Sequence, residues 1–395
     1  MPAVLITGAA AGIGRAAARR FARDGWRCVL VDRDGAALAA TVAGLSAPKA
    51  GRHEAVAIDL TDAGGIGALA ERTGPLDALV NNAGMSDRTN RPVVEQGGED
   101  WRTLLALNLD APARLVDALS PRLVAGARVV NVASGAGLRA IPWRGAYSAS
   151  KAGLIGLSQA LARERPDFRV SVLCPGFVRT ELVDRLIASG QLDPARITAK
   201  IPLGRMAEPE ELAEAIRFLA GTSGAVPSGL LLSVDGGSSV FGGSRDFAPA
   251  NVDPVPSDMP LGLRVAGDVA GQWSGLSQQG EGYAAVLDVS PLRAPPGDRL
   301  AAVHEAAQRF AQEHAHQASL TLMLPVEAGE GWRQAGDLAA AGMLVATLAC
   351  EWGPRALRVN ALSVAREEPE GLAPLLRFIA GARAQYLTGQ VLKVA

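Results

Sequence analysis

Short apolar runs that alternate with segments of helical length constrain this chain more than any other feature. Ala3–Ile6, Arg27–Val31, Ala55–Ile58, Ala78–Val80 and Arg128–Val132 are rich in Val, Leu, Ile and Ala and bounded by Gly, Asp or Asn. Between them lie Gly14–Asp24, Ala36–Leu45 and Trp101–Val124, read as helices. Strands that are apolar along their whole length need cover on both faces, and a parallel sheet between two helical layers provides it. A further strand, Val170–Leu173, follows a helix Tyr147–Arg165 that Pro166 stops. The unit closes on Leu230–Val234 and the loop Asp235-Gly236-Gly237. The expected architecture is α/β, with a doubly wound parallel sheet.

At 395 residues the chain has room for two ordinary domains or one large one. Val240–Gly262 is rich in Gly, Pro and Asp and has no periodicity, so it reads as a linker. The expected division is 1–240, a linker at 241–262, and a second domain at 263–395, whose first convincing strand is Tyr283–Val289. The second part repeats some of the first. EPEELAEAIRFLAGTSGAVPSG (Glu208–Gly229) returns as EPEGLAPLLRFIAGARAQYLTG (Glu368–Gly389), identical at 10 of 22 positions without a gap. Upstream, Leu161–Leu173 is echoed by Leu348–Leu362 with two extra residues. Chance likeness of Ala/Leu-rich helices could produce one such block; a duplicated half-domain explains the shared order of both.

Composition excludes several classes. With 48% hydrophobic and 20% charged residues the chain reads as soluble and globular. A net charge of −1 gives no general attraction to nucleic acid or anionic membrane. Cys28, Cys174 and Cys350 are scattered and odd in number, as expected of buried thiols in a reducing compartment. The start MPAVLITGAA shows no leader pattern, and the longest apolar run, Leu338–Cys350, is too short to span a bilayer. A cytoplasmic protein is expected.

The first apolar strand runs into TGAAAGIG (Thr7–Gly14) and then a helix. Glycines at 8, 12 and 14 let the backbone turn tightly and approach a pyrophosphate, and the helix N-terminus offers free N–H groups to the anion. A structural turn can look the same, but this position opens an alternating α/β unit. Asp32 ends the second strand about twenty residues on. A carboxylate there can bind ribose hydroxyls and would repel a 2′-phosphate, which favours NAD over NADP. Arg33 follows and could accept a phosphate, and a solvated strand-end Asp would leave the same trace. Tyr147 and Lys151, in YSASK, are four apart and share a helix face. An ammonium beside a phenol stabilises the phenolate and lowers its pKa from about 10. Such a tyrosine can exchange a proton with an alcohol or carbonyl. A lone pair of this kind is usually a solvated helix face; Ser134, thirteen residues earlier at a strand end, gives it weight.

Taken together these motifs resemble the short-chain dehydrogenase/reductase superfamily over residues 1 to about 240. They occur in the family's order: TGAAAGIG, Asp32, Asp59-Leu60, NNAG (Asn81–Gly84), Asn108, Ser134, YSASK, Pro175-Gly176 and Thr180. The resemblance implies a Rossmann-type fold and NAD as cofactor. It implies that Gly8, Ala11, Gly12, Ile13, Gly14, Asp32 and Arg33 form the nucleotide cradle. Asp59 and Leu60 would border the adenine, and Asn82, Ala83 and Gly84 would line the groove. Ser134 would hold the reacting oxygen, Tyr147 would be general acid/base, and Lys151 would bind the nicotinamide ribose. Asn108 would bend its helix and relay protons through water. Pro175, Gly176, Val178 and Thr180 would meet the carboxamide, and Glu181–Arg205 would be a substrate lid. Leu138, Ile141, Pro142 and Trp143 would form a pocket wall, with Arg139, Arg144 and Arg179 near enough to meet an acidic substrate. No metal is called for; His53, His304, His314 and His316 lack ligand spacing.

The second half reads as a smaller, truncated α/β domain of the same kind without its chemistry. No tyrosine lies between Tyr283 and Tyr386 and no lysine between Lys200 and Lys393, so no second Tyr–Lys pair can form where YSASK would fall. Between its counterparts of Leu173 and Glu208 only SVARE remains, so clamp and lid are missing. The expected activity is hydride transfer between NAD(H) and a secondary alcohol or ketone. A 3-oxoacyl thioester reductase and a non-catalytic NAD-sensing or scaffold protein are the alternatives. The resemblance also implies association through long helices and the final helix and strand. The second half keeps counterparts of these, so a homodimer acting as a pseudo-tetramer is expected, with a small-molecule substrate and neither nucleic acid nor membrane as partner.

Overall fold

The computed structural model describes residues 1–48, 51–86, 92–95, 97–141, 144–190, 192–221, 226–278, 280–326 and 332–394. They form two units, Met1–Arg185 with Glu208–Gly221, and Leu186–Ala207 with Thr222–Ala395. The first unit alternates β1 (Ala3–Thr7), α1 (Gly12–Arg23), β2 (Arg27–Asp32), α2 (Gly35–Ala43), β3 (Glu54–Ala57), α3 (Ala63–Arg72), β4 (Leu76–Asn81), α4 (Gly98–Leu105), α5 (Ala111–Leu119), β5 (Leu123–Val132), α6 (Gly145–Glu164) and β6 (Arg169–Pro175). Helix α7 (Glu181–Ala188) leads out of it, α8 (Pro194–Thr198) lies in the second unit, and α9 (Pro209–Leu219) returns to the first.

The strands of the first unit pair in parallel in the order β3-β2-β1-β4-β5-β6. All of β1 is buried, which is why its sequence reads as an unbroken apolar run. The chain winds outward from β1 in one direction and from β4 in the other. The strand order therefore reverses between them, opening a crevice at their C-terminal ends. Leu5, Val29, Leu79, Leu115 and Val129 belong to the core on one side of the sheet. Across the first unit α1 packs on α9, with Arg20 Nε 2.6 Å from Glu214.

One expected helix is replaced. Trp101–Val124 is α4, a π-turn at Ala106–Asp110, then α5, and β5 has already begun at Leu123. Pro112 and Pro121, at the starts of α5 and of the 3-10 turn Ser120–Arg122, cannot donate helical N–H bonds and set these boundaries.

The second unit contains β7 (Leu230–Val234), β8 (Leu261–Ala266), β9 (Tyr283–Asp288), α10 (Ser290–Arg293), α11 (Arg299–Glu313), β10 (Ala318–Pro325), α12 (Trp332–Trp352), β11 (Arg358–Val364), α13 (Pro369–Ala380) and β12 (Val391–Val394). Residues 241–260 hold no helix or strand. A smaller parallel sheet runs in the order β12-β11-β10-β9-β8. Its strand β8 was not legible in the sequence: it is an edge strand with one neighbour, mostly half-buried and interrupted by the exposed Arg264. Val303, Phe310, Leu320, Val345 and Trp352 fill the core, with Phe310 and Trp352 ring centroids 5.4 Å apart. Arg358, buried, donates to the carbonyls of Ile379, Ala380, Gly381, Ala384 and Leu387. It thus caps the negative end of α13. Among the described residues no helix is long and apolar enough to cross a membrane.

Candidate active site

Four of the segments singled out by sequence fall at the C-terminal ends of strands, while Tyr147 and Lys151 lie on α6 and Asn108 in the π-turn. The glycine turn leaves β1, Asn82–Gly84 leaves β4, Ser134 follows β5 and Gly176 follows β6.

The turn is built for close approach. Gly8 and Gly12 have φ of +66° and +53°, backbone that side-chain-bearing residues rarely adopt. A Cβ on Gly14 would lie 2.1 Å from the Gly8 carbonyl oxygen, and one on Gly8 would lie 2.8 Å from Ala83 Cα. Asn82 locks this geometry by donating Nδ2 to the carbonyls of Thr7 (3.0 Å) and Gly8 (3.1 Å). The Thr7 hydroxyl accepts from the Asn82 and Ala83 N–H groups, both at 3.0 Å. Thr7 is a residue that sequence reasoning missed, since its role depends on the β1–β4 pairing. Ala11 and Ile13 flank Gly12 at the start of α1.

Asp32 ends β2 and accepts from the N–H groups of Ala10 and Asp34, each at 3.1 Å, so its carboxylate stands beside the glycine turn. Arg33 is exposed. Hydrogen bonds from the Thr61 N–H and hydroxyl hold the Asp59 carboxyl below its usual pKa. Leu60 turns into the hydrophobic core.

At the other side of the crevice Tyr147, Ser134 and Lys151 come together. Ser134 acts on the Tyr147 hydroxyl in favour of its phenolate. Lys151 is buried, donates Nζ to the Val132 carbonyl at 3.0 Å, and lies 5.9 Å from the Tyr147 ring centroid. A Cβ on Gly84 would stand 3.2 Å from both Lys151 Nζ and Asn108 Oδ1, so only glycine leaves this corner open. The expected lowering of the Tyr147 pKa is corrected here: burial raises it, opposed by Ser134 and the Arg144 charge. Burial likewise lowers Lys151 to about 8, which weakens it as a neighbouring cation.

Asn108, wholly buried in the π-turn, is bonded through Oδ1 and Nδ2 to the Met85 backbone N–H and carbonyl, both at 2.9 Å, and through Nδ2 to Ser150 Oγ at 3.1 Å. Ser150 in turn donates to the Tyr147 carbonyl at 2.8 Å, linking the bend to α6. Pro175 and Val178 are buried, Gly176 half-buried, and Thr180 Cγ2 stands 3.2 Å from where a Gly12 Cβ would be. Glu181 accepts from the Gly12 N–H at 3.0 Å and pairs with Arg15. Sequence did not signal this contact, which joins residues 169 apart.

Leu138, Ile141, Phe177 and Leu182 are exposed apolar side chains. Pro142 and Trp143 lie outside the described residues. Arg179 pairs with Asp184 at 3.1 Å and Arg144 donates to Ser86 at 3.3 Å, so both already have partners. No group of three or more His, Cys, Asp or Glu able to hold a metal occurs among the described residues.

Gly267 follows β8 with φ +73°, as Gly8 follows β1, and among the described residues between β8 and β9 the one helical element is the short turn Ser274–Leu276. Arg293, at the end of α10, pairs with Asp268 (3.6 Å) and Glu367 (3.3 Å).

Comparison with known proteins agrees with this geometry. The family model described as enoyl-(acyl carrier protein) reductase matches residues 8–239. An uncharacterized short-chain type dehydrogenase/reductase of Sinorhizobium fredii is 39% identical over 240 residues, 59% of this chain and 43% of that protein. The D-threitol dehydrogenase of Mycolicibacterium smegmatis is 36% identical over 244 residues, 60% of this chain and 92% of that one. The crystal structure of 3-ketoacyl-(acyl-carrier-protein) reductase from Brucella melitensis complexed with NADH has a TM-score of 0.54 at 29% identity, covering 60% of this chain and 98% of that one. The chain belongs to the short-chain dehydrogenase/reductase superfamily, NAD(P)-dependent oxidoreductases acting on CH–OH groups.

Proposed function

We propose that this chain uses NAD(H) to interconvert a small or medium-sized secondary alcohol and its ketone. The observation that carries the reading is the meeting of Ser134, Tyr147 and Lys151 beside Gly84 and Asn108, in the same crevice as the glycine turn. Nicotinamide, when bound, supplies hydride transfer. The chain's own residues handle the proton. In oxidation the Tyr147 phenolate takes the hydroxyl proton of the alcohol; in reduction its hydroxyl returns one to the carbonyl oxygen. Ser134 donates to the reacting oxygen, and Lys151 holds the ribose while its charge, below about pH 8, favours the phenolate.

Gly8, Gly12 and Gly14 leave room for a pyrophosphate against the N-terminus of α1. Asp32, held at the end of β2 beside Ala10, is placed to bind ribose hydroxyls and repel a 2′-phosphate, which supports NAD over NADP. Likeness to a 3-ketoacyl carrier-protein reductase supports a second reading, reduction of a 3-oxoacyl thioester. The experiment is a panel of alcohols, polyols, hydroxy acids and hydroxyacyl thioesters, each tried with NAD and NADP and followed by nicotinamide fluorescence. Turnover of simple secondary alcohols with NAD is expected. Turnover of thioesters alone would replace the first reading with the second. NADH binding without turnover of any substrate would favour a sensor or scaffold.

A further inference from the structure

Of Arg139, Arg144 and Arg179, the first and last are exposed, and Arg179 pairs with Asp184. Arg144 is half-buried and is the N-cap residue of α6, three residues before Tyr147 and so one helical turn away. Its Nη1 donates to Ser86 Oγ at 3.3 Å. Ser86 continues the segment that leaves β4. In that segment a Cβ on Gly84 would stand 3.2 Å from Lys151 Nζ, and Met85 is bonded to Asn108 through its N–H and carbonyl. Arg144 therefore reaches from the helix that carries Tyr147 and Lys151 back to the strand end that lies against Lys151. Against the burial that raises the Tyr147 pKa, the Arg144 charge pulls it down, so the guanidinium acts within electrostatic reach of that hydroxyl.

The surroundings favour an anion. A helix N-terminus is the positive end of the helix and disfavours a cation, and the first turn of α6 holds no acidic residue. An anion bound at Arg144 would offset both positive charges. Beside it the chain is apolar: a Cβ on Gly145 would clash with the side chain of Val93, which is itself exposed. A cation flanked by an apolar side chain fits a short carbon skeleton that ends in an oxyanion.

We propose that Arg144 determines substrate specificity by binding an oxyanion, so that the preferred alcohol is a short hydroxy acid or the matching sulfonate. The planar guanidinium can take two oxygens of either group side by side. Held one turn from Tyr147, the anion fixes which carbon presents its hydroxyl to Ser134 and Tyr147. The proposal rests on the dehydrogenase reading of residues 1–240 and narrows its substrate.

The test uses the full chain with NAD and three matched probes: 3-hydroxybutyrate, 2-hydroxypropane-1-sulfonate and the uncharged methyl 3-hydroxybutyrate. The parent should prefer an anion over the ester in kcat/KM; preference for the carboxylate alone or the sulfonate alone supports the proposal and names the group. Arg144→Gln should cut that preference about ten- to hundredfold, the worth of a hydrogen bond to a charged group, mostly through KM. Arg144→Lys, which keeps the charge, should restore part of it. The influence of Arg144 on Tyr147 falls on acid and ester alike, so equal losses for both overturn the proposal, as does a parent that prefers the ester. A second measurement is independent of turnover: calorimetric titration of 3-methylbutyrate, which has no hydroxyl to react, into the chain saturated with NADH. Binding should weaken by a similar factor in Arg144→Gln; equal affinity for the parent and a folded Gln variant overturns the proposal. If no probe is turned over while this binding depends on Arg144, the dehydrogenase reading fails and the anion site stands.

Discussion

Tyr147 is pulled two ways: burial favours its neutral hydroxyl, and Ser134 with Arg144 favours the phenolate. The raised pKa suits it to donate a proton near neutrality and makes oxidation wait for higher pH. Oxidation should therefore accelerate as pH climbs from neutrality toward the raised pKa of Tyr147, while reduction falls over the same range. Tyr147→Phe should lower turnover about 10²–10⁴-fold and leave NADH affinity unchanged in a fluorescence titration. Activity within tenfold of the parent, or an oxidation rate indifferent to pH, would refute the assignment. A second residue-scale expectation concerns Glu181, whose carboxylate takes up the Gly12 N–H and Arg15, donors suited to a cofactor phosphate. Glu181→Gln should tighten NADH binding about two- to fivefold, the range of a partly exposed ion pair; weaker binding would show that Glu181 supports the cradle instead. Of these residues Tyr147, Lys151 and Ser134 were legible because their chemistry is unusual at that spacing. Thr7, Ser150 and Glu181 were not, because ordinary residue types acquire their roles only from neighbours far away in sequence.

Among the elements, the β1–α1 turn depends most on glycine. Gly14→Ala would drive a methyl into the Gly8 carbonyl 2.1 Å away, so the turn must open. NADH affinity should fall by at least about tenfold, a cost beyond 1.4 kcal/mol, with a smaller relative loss in thermal stability, since the strands beneath are unaltered. Calorimetric titration beside a melting curve checks this, and undiminished binding would remove the turn from the cofactor site. Strands β1, β2, β4, β5 and β6 were readable because parallel strands buried on both faces must be apolar throughout. The break of the long helix at Ala106–Asp110 was expected only through the family resemblance, because Asn108 gives no local helix-stop signal and bonds to Met85 across 23 residues. Strand β8 was not readable, because its edge position relaxes the apolar requirement.

For the whole molecule, the question is what the second half contributes. A piece ending at residue 240 would keep 186–207 and 222–240 but lose Gly353, Tyr386, Thr388 and Gln390, which pack on them within the second unit. Strand β7 would also lose β12 beside it. Residues 1–240 expressed alone should therefore be aggregation-prone or poorly active; a soluble, monomeric and fully active piece would show that the second half is dispensable. We further propose that two chains associate as a pseudo-tetramer carrying one NAD(H) per chain. Solution mass and binding stoichiometry test this, and four equivalent sites in a homotetramer would exclude it.

The sequence by itself determined the α/β class, the glycine turn after β1, the Ser, Tyr and Lys that meet beside it and the lack of a second Tyr–Lys pair. Each follows from local periodicity, or from residue types whose chemistry is rare at that spacing. Only the tertiary structure decided that burial raises the Tyr147 pKa, that Glu181 reaches Gly12, and that Tyr386 lies against Arg205. Those outcomes depend on desolvation and on contacts between distant segments, which no local pattern encodes.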